Sequence, residues 1–260
     1  MAILILIAVL VLAVWDGEYY ANRSGQPTLS PVPPSTGINK LPSISSPTPR
    51  ISPTPTPART PVQDKNISLS VPFTSQAPYG DWKDERQQDG CEEASSLMAI
   101  RWVRGQSLTR DDALREILAI SEYEQLKYGG FHDTSAEDTA ERIFREYFKY
   151  DGVEVRHDIT TVDIRNELDK GNLIVVPVNG QKLGNPFFTQ PGPYRHMIVI
   201  RGWDANKKEF ITNDPGTKHG ENYRYQEYAI QNAFMDYATG HEVPVVEGKT
   251  AMIIVLPQRP

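Results

Sequence analysis

The chain has 260 residues, 39% of them hydrophobic and 23% charged, with a formal net charge of -6 at neutral pH. That is ordinary globular material for one large or two small folded units, and modest acidity without a dense Lys/Arg block excludes the electrostatic footprint of a nucleic-acid binder. The single cysteine, Cys91, excludes an internal disulfide and leaves three roles for its thiol: a packed core group, an intermolecular bridge or a nucleophile.

In chain order, Met1 to Trp15 is apolar without a break, with no Lys or Arg before it and Asp16 and Glu18 directly after it. Fifteen helical residues span only about 22 Å, short of a hydrocarbon core of roughly 30 Å, so a signal peptide and a short signal anchor over 1–15 both stay open. The expectation is that the remainder lies outside the cytoplasm, secreted or held at the membrane by this segment. Residues 16–66 are dominated from Pro27 to Pro61 by Pro, Ser and Thr, including Ser-Pro-Thr-Pro-Thr-Pro from Ser52 to Pro57. Such a composition buries no core and favours extended polyproline II, which reads as a disordered stalk; a ligand for proline-binding modules ranks below it.

The globular domain is expected over 67–260. It opens with alternation over Leu69-Ser70-Val71-Pro72-Phe73, predicting a strand. Helices follow from about Glu92 to Arg104, from a cap at Thr109 through Leu118, from a cap at Ser135 through Phe148, and from Val162 to Lys170, where Gly171 stops the run. The second half turns to β-type runs at Leu173–Val178, Met197–Trp203, Glu209–Thr212 and Ala251–Leu256, with one further helix near Tyr228–Tyr237. Helices first and strands afterwards predict an α+β fold.

Cys91 follows Asp89-Gly90 and opens a helix, where the positive end of the helix dipole favours a thiolate, the nucleophilic form. A thiol nucleophile needs a base and a group to orient that base, brought from elsewhere in the chain. His196 stands at the head of the strand His196-Met197-Ile198-Val199-Ile200, whereas His132, His157, His219 and His241 sit in polar, loop-like surroundings and read as solvated. Asp214 ends the next strand. A hairpin around Asp204 to Lys208 would bring it beside His196. The sequence shows no clustered metal-ligand spacing and no phosphate-binding glycine loop, so neither metal nor nucleotide nor other cofactor is expected.

Four segments in order, Val71-Pro72-Phe73-Thr74-Ser75-Gln76, Asp89-Gly90-Cys91-Glu92-Glu93-Ala94-Ser95, His196-Met197-Ile198-Val199-Ile200-Arg201-Gly202-Trp203-Asp204 and Asn213-Asp214-Pro215-Gly216, resemble the peptidase C39-like domain of the papain-like cysteine peptidase superfamily. The resemblance covers about Leu69 to Leu256. It implies a papain-like fold of two lobes, a helical one carrying Cys91 at a helix start and an antiparallel sheet carrying His196 and Asp214. It further implies Cys91 as nucleophile, His196 as general base and acid, Asp214 as the orienting carboxylate, and Gln76 as a side chain helping to bind the oxyanion. Glu92 and Glu93 stand where many relatives have small residues; they suit the helix dipole but oppose a thiolate. They are expected to point to solvent, to enter a hydrogen bond at the lobe interface, or to contact substrate, as are the loop residues Asn185, Phe187 and Tyr194. The function so implied is an exported or tethered thiol hydrolase that cleaves a peptide or amide bond through a thioester. Its partner would be a peptide, a protein or a cell-wall cross-bridge. A peptide- or wall-binding domain of the same fold without catalysis, and a transglutaminase-like acyl transferase, fit the same residues.

Overall fold

The computed structural model describes residues 65–241, 243–246 and 249–258. The apolar segment 1–15 and nearly all of the Pro/Ser/Thr-rich stretch 16–66 lie outside the described residues. Among the described residues no helix is long and apolar enough to cross a membrane.

Seven strands form one antiparallel sheet: β1 Ile67–Ser68, β2 Val153–His157, β3 Leu173–Val178, β4 His196–Asp204, β5 Glu209–Asn213, β6 Tyr223–Gln226 and β7 Ala251–Val255, in the order β2-β7-β3-β4-β5-β6 with β1 joined to β4. β3 covers one edge of β4 from His196 to Ile200, and β1 continues along that edge at Gly202 and Trp203. On the other edge β5 pairs with β4, but the register shifts by one residue between Ile200 and Gly202, a β-bulge. The helices are α1 Glu85–Gln88, α2 Cys91–Val103, α3 Arg110–Tyr128, α4 Ala136–Asp138 continuing as a π-helical stretch Thr139–Tyr147, α5 Thr161–Asp169, α6 Gly180–Leu183 and α7 Glu227–Ala233.

Alternation along β4 separates two apolar layers. Met197 and Val199 face Leu97 and Met98 of α2, Ile117 and Ile120 of α3, and Ile143 and Phe144 of the π-helical stretch. Ile198 and Ile200 face the opposite way, onto Ile164 and Leu168 of α5, Phe210, Tyr225 and Ile230. α2, α3 and α4 with its π-helical stretch therefore lie on one side of the sheet, whereas α5, expected as part of the helical half, covers the other side with α7. Thr109 and Ser135 cap as their spacing predicts, each accepting from the backbone N–H three residues on.

Four expectations need correction. Leu69–Phe73 is not a strand. Pro72 has no N–H to give a ladder, and the segment is held instead by the Asn213 side chain, whose Nδ2 donates to the carbonyls of Val71 and Pro72 at 3.2 Å each. The helix begun at Ser135 winds into the π form from Thr139, the helix expected to reach Tyr237 ends at Ala233, and two strands absent from the prediction, β2 and β6, form the sheet's outer edges.

Candidate functional site

Cys91 is the first residue of α2, after Gly90. A Cβ at position 90 would lie 2.6 Å from the carbonyl oxygen of Arg86, so only glycine lets the chain turn this tightly from α1 into α2. As the opening residue of a helix, Cys91 has a backbone N–H with no carbonyl partner inside that helix. His196 opens β4, opposite Val178 of β3. Asp214 directly follows β5, where the β4–β5 pairing delivers it to His196.

The geometry around the imidazole is well defined. His196 Nε2 and Asp214 Oδ1 are 2.7 Å apart, and both residues are almost fully buried. Asp214 Oδ1 also accepts from the backbone N–H of Gly216 at 3.0 Å, while Oδ2 accepts from the Tyr225 hydroxyl at 2.5 Å and from Asn185 Nδ2 at 3.5 Å. Asn185 Nδ2 also lies 2.7 Å from the Tyr225 hydroxyl. Burial pushes the Asp214 carboxyl up, but the neighbouring His196 and the hydrogen bonds from His196, Tyr225 and Gly216 outweigh it and hold the group below the usual carboxylate range. With Nε2 turned to Asp214, Nδ1 is the ring nitrogen left to exchange a proton elsewhere.

Cys91 and His196 line one cavity of about 1210 Å³, together with Gln76, Trp82, Phe187 and Tyr194. The hydrogen bond of the thiol does not go to His196. Cys91 Sγ donates to Glu92 Oε2 at 3.0 Å, and Glu92 Oε1 accepts from the Tyr237 hydroxyl at 2.7 Å. Burial, and then the charge of Glu92, push the thiol well above its ordinary range; burial likewise pushes Glu92 up to about 7. The helix start thus faces opposition from a buried carboxylate.

The remaining sequence candidates divide into lining and interior residues. Phe187 and Tyr194 line the cavity and are partly exposed, Phe187 against His219 with ring centroids 4.4 Å apart. Asn185 does not line it; the residue is buried and binds Asp214 and Tyr225 from behind. Glu92 and Glu93 do not point to solvent, because both lie inside the protein, 1% and 0% exposed, and neither lines the cavity. Glu93 Oε1 accepts from Ser121 Oγ of α3 at 2.8 Å. Gln76 lines the cavity, but its Nε2 donates to the carbonyls of Gln87 at 3.1 Å and Gln88 at 2.7 Å. Both amide hydrogens are committed to the segment ahead of Cys91, and none remains for an oxyanion.

Residues 68–239, well over half of the chain, match the model of the Peptidase_C39 like family. The chain belongs to that family. A C39-like family member is therefore expected to carry a peptidase-type active site, and a peptide or protein is the substrate class the family suggests. A Bacillus anthracis protein provisionally designated a C39-like peptidase is similar in structure, with a TM-score of 0.49 and 14% identity over 75% of this chain and 100% of its own. No curated protein matches the sequence. Sequence reasoning missed Tyr225 and Tyr237, the hydroxyl partners of Asp214 and Glu92. Tyr225 belongs to an edge strand of alternating polar residues, and no pattern ties Tyr237 to a site 145 positions away.

Proposed function

We propose that this C39-like domain is a thiol peptidase or amidohydrolase in which Cys91 is the nucleophile, His196 the general base and acid, and Asp214 the group that orients His196. One observation carries the proposal: a helix-opening cysteine and a histidine hydrogen-bonded at 2.7 Å to a buried aspartate line the same cavity. The thiol turns from Glu92 and gives its proton to His196 Nδ1, and sulfur attacks the amide carbonyl. The resulting oxyanion meets the backbone N–H of Cys91. His196 returns the proton to the leaving amine as the C–N bond breaks. Water, deprotonated by His196, then cleaves the thioester and restores the thiol. Asp214 fixes the ring and supports the imidazolium that forms in each half.

Gln76 enters this scheme as a positioning residue that ties the loop before Cys91 to the cavity wall, rather than as an oxyanion donor. Phe187 and Tyr194 are the aromatic contacts proposed for substrate. The apolar residues 1–15 and the proline-rich stretch support an exported protein whose domain works outside the cytoplasm, on a peptide or a cell-wall cross-bridge.

A second reading, a peptide-binding domain with a dormant thiol, draws on one observation: the Cys91 thiol is buried and engaged by Glu92. Iodoacetamide labelling of the full chain across pH separates the two. Labelling well below the free-thiol range near 8.5 that slows in His196→Ala supports the catalytic pair. Labelling that tracks an ordinary thiol, unchanged in His196→Ala, supports the dormant domain. Release of amine from a peptide library, run with and without an added primary amine, then distinguishes hydrolysis from acyl transfer.

A further inference from the structure

Three side chains far apart in sequence meet outside the Cys91, His196 and Asp214 arrangement, two of them, Asp89 and His241, at the cavity wall. Asp89 caps the C-terminus of α1, His132 follows α3, and His241 lies beyond α7. One ligand atom from each falls within 4.8 Å of the other two, and His132 Nε2 stands 3.6 Å from Asp89 Oδ2. A tetrahedral zinc site with metal–ligand bonds of about 2.1 Å has ligand-to-ligand edges of about 3.4 Å. The Asp89–His132 pair is already at that spacing. The rest is within side-chain adjustment of it, because the His241 ring is exposed.

The surroundings favour this arrangement. The His132 ring stacks on Phe131 at 4.0 Å between centroids and meets the His241 ring edge-on at 4.7 Å. Asp89 and His241 line the cavity, whose other charged lining residues are Asp133, paired with Arg195 at 3.2 Å, Arg110 and Lys218. Two imidazole nitrogens and one carboxylate oxygen are a donor set for zinc-type transition dications, whereas calcium and magnesium take oxygen ligands.

We propose that Asp89, His132 and His241 form a binding site for a zinc-type divalent cation at the wall of the cavity. The cation would join the segment two residues ahead of Cys91 to the loop after α3 and to the chain beyond α7. Open coordination positions would hold water or an acidic group of whatever occupies the cavity. No redox step is involved, and both imidazoles bind in their neutral form. This site does not rest on the peptidase reading.

The test uses the full chain without a histidine tag, carrying Cys91→Ser so that the thiol cannot supply a ligand. Titration with Co2+, followed by its visible d–d bands, and calorimetry with Zn2+ at neutral pH should show one equivalent bound, with Mg2+ failing to compete. His241→Ala, at an exposed position that leaves the fold intact, should weaken binding at least about tenfold, since loss of a mere outer partner of a ligand already costs 10–100-fold. His132→Ala and Asp89→Asn should do the same. Absence of uptake in the Cys91→Ser chain overturns the proposal. So does uptake that His241→Ala leaves unchanged, which places the metal elsewhere.

Discussion

The sulfur of Cys91 donates its hydrogen bond to the carboxylate of the very next residue, Glu92, at 3.0 Å. Two consecutive residues at the start of one helix therefore form a closed pair, and the second opposes the ionisation that the helix start promotes in the first. Asp133 and Glu93 add to that opposition. Tyr237 stabilises the arrangement by donating to the far carboxylate oxygen.

Glu92→Gln removes the charge beside the sulfur and offers it an N–H donor instead. Both changes lower the thiol pKa. Below that pKa the thiolate fraction rises about tenfold per unit while intrinsic nucleophilicity falls, leaving a net gain of roughly three- to four-fold in alkylation rate per unit. Iodoacetamide kinetics at neutral pH should show the variant labelled faster than the parent, with its pH profile displaced to lower pH. Equal rates would remove Glu92 as a restraint on the thiol.

Asp214→Ala strands His196, Tyr225 and Asn185 in a buried site, where removing one member of a bonded charged network costs about 3–5 kcal/mol. Urea denaturation should register a loss of that order, and Tyr225→Phe should lose about 1–2 kcal/mol. Since the folded-state pKa of Asp214 is depressed, its contribution is present above the unfolded value near 3.9. It is lost as pH falls through the lower folded value, so the gap between parent and Asp214→Ala should narrow in acid.

Behind Cys91 three carboxyls are buried together. Burial pushes Glu92 up to about 7, Glu124 up to about 8 and Glu93 well above its ordinary range. The folded state holds these protons more tightly than the unfolded chain, whose glutamates titrate near 4.3. Their contribution is complete below that value and is lost as pH rises through the folded values. Stability should fall between about pH 5 and pH 8. Glu124→Gln should flatten that slope and stabilise the protein at pH 8 by on the order of 1–3 kcal/mol, measured from denaturation midpoints across pH. A parent chain more stable at pH 8 than at pH 5 would contradict the buried-carboxylate account.

Gly216 packs against the imidazole: a Cβ there would lie 2.9 Å from both His196 Cε1 and Phe188 Cε1. Gly216→Ala should displace the ring from its position beside Asp214 and slow peptide cleavage about tenfold or more, because small misplacements at a reacting centre are costly. Its melting temperature should stay within a few degrees of the parent. Activity equal to the parent's would show that the ring position has slack.

Much of this was legible in the sequence where local chemistry decides the outcome. Thr109 and Ser135 have their capping partners three residues on, and Gly90-Cys91 at a helix start is a local turn signal. The apolar runs that became β3, β4 and β7 are buried on both faces, and such strands advertise themselves by composition. The outer strands do not, because Val153–His157 and Tyr223–Gln226 place charged or polar residues where only one neighbour and solvent meet them. For Glu92 and Glu93 the sequence left solvent, a hydrogen bond at the interface and substrate contact all open, because a first-turn carboxylate suits each. The packing of α3 and Tyr237 over α2 puts both in buried hydrogen bonds. Asp89, His132 and His241 carried no spacing signal, since their meeting depends on three separate loops.

The one-residue register shift between Ile200 and Gly202 has a consequence of parity. Beyond it Ile200 pairs with Thr212 and Val199 with Asn213, so the same register carried one step further sets Asp214 opposite Ile198. Ile198 shares its side of the sheet with His196, two positions back, and the two polar groups meet. Were the register of Gly202 with Ile211 carried through unshifted, Asp214 would stand opposite Val199, on the side that faces α2. A slip of β5 by one residue against the first half of β4 would therefore not stretch the His196–Asp214 contact by an increment; it would transfer the carboxylate to the wrong side of the sheet. The strand is written in a reading frame of two, and the bulge is the shift that brings its polar end into phase.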